Sequence, residues 1–185
     1  AAMFGGGGYD SLYTPKRKNY IGIKGSQAVE NGNFPPSLLG SFNGTTLLID
    51  VIEDYKKLVA AYNKQFPTTP FIASGYRTYK SQLKVYNDPK KISKSASGEE
   101  IHLGATPGTS KHGWGLAIDV SGLGGFRGER YIWMLKNAPK YSFLNPKWAQ
   151  EPEGWPKVER ADSGKKGSKP EPWHFNSTRV SEIIK

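Results

Sequence analysis

From Thr45 to Phe66 the residues Leu48, Val51, Ile52, Tyr55, Leu58, Val59 and Tyr62 recur three and four positions apart. That spacing lines one face of a helix, so the whole stretch is predicted helical, with Thr45 or Thr46 capping its start. The period then changes. "PFIASGYRTYKSQLKVYNDP" predicts a strand from Phe71 to Ser74, a turn at Gly75, and a short helix from about Thr78 that Pro89 terminates. Residues 88–109 are polar and read as a loop, and a strand follows over Gly115–Val120. "GERYIWMLKN", residues 128–137, predicts a further helix that Pro139 ends. Beyond Trp148 a second loop leads into "EPWHFN", where Trp173 and Phe175 alternate with His174 and Asn176 as in a strand. Residues 5–44 are rich in Gly, Pro, Asn and Ser with few periodic apolar positions, which predicts an extended arm over 1–44 ahead of one domain, 45–185.

One strand breaks the apolar pattern. In "TSKHGWGLAIDV" the alternation puts Leu116, Ile118 and Val120 on one face and Gly115, Ala117 and Asp119 on the other. The second face is bare apart from a carboxylate, as an open floor would be, and Gly113 and Gly115 allow a bend that swings His112 over it. A buried carboxylate is costly unless it is paired or binds a metal. This run alone fits equally well an Asp119 that caps a turn at Ser121 and Gly122.

Composition narrows the choice. The chain has 185 residues, enough for one core, and no cysteine, which excludes disulfides, thiolate metal sites and cysteine nucleophiles. Only three histidines are present, and His174 follows Glu171 in a segment bracketed by Pro170 and Pro172. Two histidines and a carboxylate fit a catalytic zinc site of three protein ligands and an open position. Glu171 would be the spare carboxylate that takes a proton from water there, and Arg77, at a strand exit, a cation for a developing oxyanion. His102 reads as a loop residue near the mouth of the site. Trp133 and Trp148 read as core, whereas Trp114 and Trp173 flank the ligands as pocket walls. The net charge of +10 attracts nucleic acid, anionic lipid or an anionic cell-wall polymer. No nucleic-acid-binding motif accompanies that charge, and no apolar run reaches the roughly 18 residues of a membrane span. The opening "AAMFGGGG" reads as a start at Met3 with no secretion signal.

These residues resemble a known family. Ser110, His112, Gly115, Ala117 and Asp119 match the SxHxxGxAxD signature of the VanY-type zinc D-alanyl-D-alanine carboxypeptidases, and Glu171, Trp173 and His174 match their ExWH signature. "SGYRT" with Gln82 is similar to that family's upstream block. The resemblance implies an α+β fold with a small, mainly antiparallel sheet and packed helices, like that of the DD-peptidases and Hedgehog. It implies one Zn2+ held by His112, Asp119 and His174, with Glu171 as general base and Arg77 stabilising the tetrahedral intermediate. Ser110, Gln82 and Trp173 would contact the substrate. The implied activity is hydrolysis of peptidoglycan stem peptides beside a D-amino acid, on the outer side of a bacterial membrane, by a monomer. The Glu-Pro-Trp-His form favours a D-Ala-D-Ala carboxypeptidase over an L-Ala-D-Glu endopeptidase of the endolysin kind. A phage-encoded protein without its own signal, and a non-catalytic wall-binding module on the same fold, are the alternatives.

Overall fold

Asn43 and Gly44 both adopt positive φ, 51° and 76°, the backbone that a tight hairpin between twisted strands requires. In the computed structural model, which describes residues 20–21, 29–102, 111–156 and 170–183, this turn joins two antiparallel strands. The strands in chain order are β1 (Tyr20–Ile21), β2 (Val29–Glu30), β3 (Leu39–Phe42), β4 (Thr45–Leu48), β5 (Ala73–Ser74), β6 (Ile92–Lys94), β7 (Glu100–His102), β8 (Ala117–Val120), β9 (Phe143–Leu144) and β10 (His174–Ser177). The helices are α1 (Ile49–Gln65), α2 (Tyr79–Tyr86), α3 (Glu129–Asn137) and α4 (Val180–Ile183). Short strands in antiparallel pairs with helices packed on them make the α+β class expected from the sequence.

The first helix begins later than its apolar pattern predicts. Thr45–Leu48 is strand β4, paired residue for residue with β3 from Leu39↔Leu48 to Phe42↔Thr45. Thr45 caps nothing: its hydroxyl donates to Ala73 O at 2.9 Å and accepts from Tyr55 Oη at 2.9 Å. The β-branched threonines and the Asn-Gly turn outweigh helical periodicity over those four positions. From Ile49 onward the stripe behaves as read, burying Val51, Ile52, Tyr55, Leu58, Val59 and Tyr62. Each such side chain contributes about 1.5–3 kcal/mol of apolar transfer. Around it Phe71 meets Tyr55 and Tyr62 edge-on at 5.8 and 4.9 Å.

Two other regions differ from expectation. Residues 29–44, assigned to an extended arm, place Val29 and Phe34 in the core and add β3 to α1. The 88–109 loop contains a hairpin, β6 against β7 with Ile92↔His102 and Lys94↔Glu100. Charged side chains on both strands hid its alternation.

The central sheet positions the site. Its order is β5-β8-β10-β9, every pair antiparallel. The register sets Ser74 and His174 directly opposite Asp119 on its two sides, and cross-strand partners share a face. Ile118 and Phe175, on the other face, are fully buried in the core. The floor is less open than its composition predicts, because Ala117 and its partner Asn176 are both fully buried. Gly115 serves packing instead: at φ 66° it lets Leu48 N donate to Gly115 O at 2.9 Å, and a Cβ would lie 2.7 Å from that nitrogen.

Candidate metal centre

Three donors converge on the accessible end of this face. His112 rises from a 3-10 turn, Lys111–Trp114, just ahead of β8, whereas Asp119 and His174 are the paired residues of β8 and β10. His112 Nε2 lies 3.2 Å from Asp119 Oδ2, and His174 Nδ1 lies 3.0 Å from Asp119 Oδ1. One ligand atom from each residue falls within 4.8 Å of the others, with both histidines buried and Asp119 partly exposed. The rings meet edge to face, their centroids 5.3 Å apart.

The far side of each ring decides which nitrogen turns to Asp119. His112 Nδ1 faces Gly75 O at 2.9 Å, and a carbonyl only accepts, so the ring donates there and Nε2 is the nitrogen presented to Asp119. His174 Nε2 faces Asn176 Oδ1 at 2.8 Å, which presents Nδ1 to Asp119. Asp119 is tuned by both. Burial pushes its carboxyl up, but hydrogen bonds with His112 and His174, followed by their charges, outweigh burial and hold it well below the usual carboxylate range. Two oriented imidazole nitrogens and an ionised carboxylate, aimed at one point, are a donor set for a borderline divalent cation such as zinc. The residues therefore fit the metal.

Arg77 stands beside them. Its backbone N donates to His112 O at 3.0 Å, and its Nη2 lies 3.9 Å from Asp119 Oδ2. Nη1 donates to Gln82 Oε1 at 2.8 Å. Gln82, expected to touch substrate, is instead buried on α2 at 2 % exposure, where it orients the guanidinium. Trp173 is 42 % exposed and, with Ile72, Asp119, Ser121, Leu123 and Pro172, lines a cleft of about 570 Å³. That volume suits a small peptide. Trp114, expected as a second wall, is buried in the core with its ring 6.2 Å from that of Phe34. Ser110 lies outside the described residues. His102, the last residue of β7, stacks on Tyr86 at the end of α2 at 3.9 Å and contacts Tyr86 O and Glu100.

Glu171 opens a closed turn. His174 N donates to Glu171 O at 3.0 Å, and Glu171 N donates to Ala149 O at 2.8 Å. Two residues of this neighbourhood escaped the sequence reading. Asn176 follows His174 by two in a strand, a spacing that assigns both to one face. Asn145 has no such cue. Trp148, expected as core, is only partly buried and packs its ring 5.0 Å from that of His174.

Comparison with known proteins identifies the fold and the family. A curated D-alanyl-D-alanine carboxypeptidase of Enterococcus faecalis (strain ATCC 700802 / V583) is 28% identical over 125 residues, 63% of this chain and 42% of the relative. The chain thus spans less than half of that protein's length. Among solved structures, a vancomycin resistance D,D-pentapeptidase VanY mutant in complex with Zn(II) superposes with a TM-score of 0.51 at 21% identity, covering 80% of this chain and 84% of the other. VanYB in complex with D-alanine-D-alanine gives 0.52 at 24%, covering 78% of each. The LdcB LD-carboxypeptidase gives 0.51 at 23%, covering 82% and 73%. The family model described as VanY, D-alanyl-D-alanine carboxypeptidase, matches residues 45–178, a span holding all three donors, Glu171 and Arg77, and the chain belongs to that family.

Proposed function

We propose that the chain is a zinc peptidase that removes the terminal D-alanine from peptidoglycan stem peptides. The observation that carries this reading is the convergence of His112, Asp119 and His174 within 4.8 Å at the edge of a peptide-sized cleft. His112 Nε2, His174 Nδ1 and an Asp119 oxygen would hold the ion. Zinc, when bound, polarises a carbonyl and brings the pKa of a coordinated water to about 7. Glu171 accepts the proton of the attacking water and returns it to the leaving amine nitrogen. The Arg77 guanidinium, steadied by Gln82, hydrogen-bonds to the scissile carbonyl oxygen as negative charge builds there. Trp173 walls the cleft and limits water, and Ser110 contacts the peptide. The D-alanine-D-alanine dipeptide bound in the VanYB structure supports the choice of bond. The substrate places the activity on the outer side of the bacterial membrane. No described helix is long and apolar enough to cross one. The charge of +10 adds attraction to anionic wall polymers.

Digestion of purified peptidoglycan, followed by mass spectrometry of what is released, tests the reading. Free D-alanine is the expected product. New L-Ala termini would assign the endopeptidase reaction instead, and binding without any release would reduce the chain to a wall-binding module. Glu171→Gln should retain zinc and lose at least about a hundredfold in rate.

A further inference from the structure

The Glu171 to His174 turn carries two groups that the proposed reaction must hold at a fixed spacing, a proton acceptor and a metal ligand. Pro172 stiffens it, yet a four-residue turn between a loop and the start of β10 has few internal bonds of its own. What fixes it comes from elsewhere in the chain. The side-chain amide of Asn145 donates to His174 O at 2.8 Å and to Glu171 O at 3.2 Å, so one nitrogen grips both ends of the turn. Its other atom is fixed too, because Tyr131 Oη donates to Asn145 Oδ1 at 2.9 Å. Burial, and next the charge of Glu151, push the Tyr131 phenol up, so it remains a donor throughout the working range. The backbone of Asn145 is anchored in turn by Gln150 Nε2, which donates to Asn145 O at 2.9 Å.

Asn145 and Tyr131 are both sheltered from water. Asn145 is 1 % exposed and Tyr131 4 %, so neither bond exchanges readily with solvent. An amide that meets two carbonyls and a phenol at once has no alternative orientation, since flipping it would set its oxygen against both carbonyl oxygens. Such a group costs free energy to bury unless all its bonds are made, and here they are. The arrangement runs from α3 through Asn145 to the turn. The distance between the Glu171 and His174 backbones is therefore set by a residue that touches neither substrate nor metal.

We propose that Asn145, held by Tyr131, is the positioning residue that sets Glu171 against the metal ligand His174. This rests on the zinc-peptidase reading above. Partners that orient metal ligands typically carry about ten- to a hundredfold in affinity or activity, and Asn145 orients a ligand and the base together.

The test uses the full chain with zinc and two variants, Asn145→Ala and Tyr131→Phe. Zinc affinity is measured by chelator competition, kcat and KM by release of D-alanine, and folding by the thermal midpoint. Asn145→Ala should lower kcat at least about tenfold and weaken zinc by about tenfold, with KM little changed because the cleft walls are intact. Tyr131→Phe loses only the bond that orients the amide, and should show the same pattern at smaller size in a folded protein. If Asn145→Ala does not fold, the Tyr131→Phe pattern decides alone. A lower thermal midpoint with kcat and zinc affinity unchanged in both variants makes Asn145 an ordinary core residue and overturns the proposal. Should the unsubstituted chain release no D-alanine, the hydrolytic reading fails, while the zinc-affinity measurements still judge the clamp.

Discussion

The two histidines of the candidate centre are held in opposite ways. His112 is tied by main chain: its ring donates to Gly75 O, its carbonyl accepts from Arg77 N and Gly115 N, and the neighbouring Gly113 O accepts from Gly32 N. His174 is tied by side chains: Asn176 receives its ring proton, Asn145 grips its carbonyl, and the Trp148 ring lies against it. A carbonyl is the same atom whatever residue carries it, so the His112 half is set by the path of the chain. The His174 half is set by residue identity and can be tuned one substitution at a time. Damage to the first should therefore appear as lost folding, and damage to the second as altered metal binding in a folded protein.

Asp119 joins the halves, and its removal should have the largest effect. Asp119→Asn takes away a charged ligand and one of the two acceptor oxygens that face the rings, so zinc affinity at neutral pH should fall by more than about a hundredfold, beyond what outer partners contribute. The same residue makes the metal-free protein acid-sensitive. A carboxyl whose folded pKa is depressed stabilises fully above its unfolded value, near 4, and loses that contribution as pH falls toward the folded value. Denaturant midpoints of zinc-free protein should drop below about pH 4, and Asp119→Asn should flatten that drop. An unchanged acid limb would show that the two histidines do not hold the carboxylate.

The same asymmetry explains what was legible in the sequence. His112, Asp119 and His174 could be named because glycines and small residues mark where a chain bends or packs closely, and because two spaced motifs share one donor chemistry. Strand β4 was hidden by leucines that fit a helix as well as a strand, although the Asn43-Gly44 turn marked the hairpin. Gln82 was read as facing the substrate because its link to Arg77 depends on how α2 docks, which spacing within the chain does not contain. Asn145 lies 29 residues before His174 and bonds to carbonyls, and carbonyls leave no mark in a sequence. The side-chain half of the site was thus the harder to see.

Gly115→Ala should strike the main-chain half with the next largest effect. A methyl there meets Leu48 N at 2.7 Å, and φ of 66° is strained for any L side chain. Together these should cost about 2–3 kcal/mol, read as a lower urea midpoint in zinc-free protein. Molecules that still fold should bind zinc nearly as well as the parent, since no ligand or ring partner is touched. A normal midpoint with weakened zinc binding would invert the comparison.

The smallest effect should come from Asn176→Leu in the other half. Leucine keeps the same branched heavy-atom skeleton and cannot accept the His174 Nε2 proton, so the ring loses its orientation and zinc affinity should fall about tenfold, or about 1.4 kcal/mol. Folding should hardly change, for a reason specific to this site. Asn176 Nδ2 is buried with no hydrogen-bond partner among the described residues, so leucine removes an unsatisfied donor while leaving His174 with another, and the two costs offset. Paired measurement of the urea midpoint and of chelator competition separates the outcomes. Lost stability with zinc affinity intact would mean that Asn176 supports the strand rather than the ligand, and that both histidines depend on the fold alone.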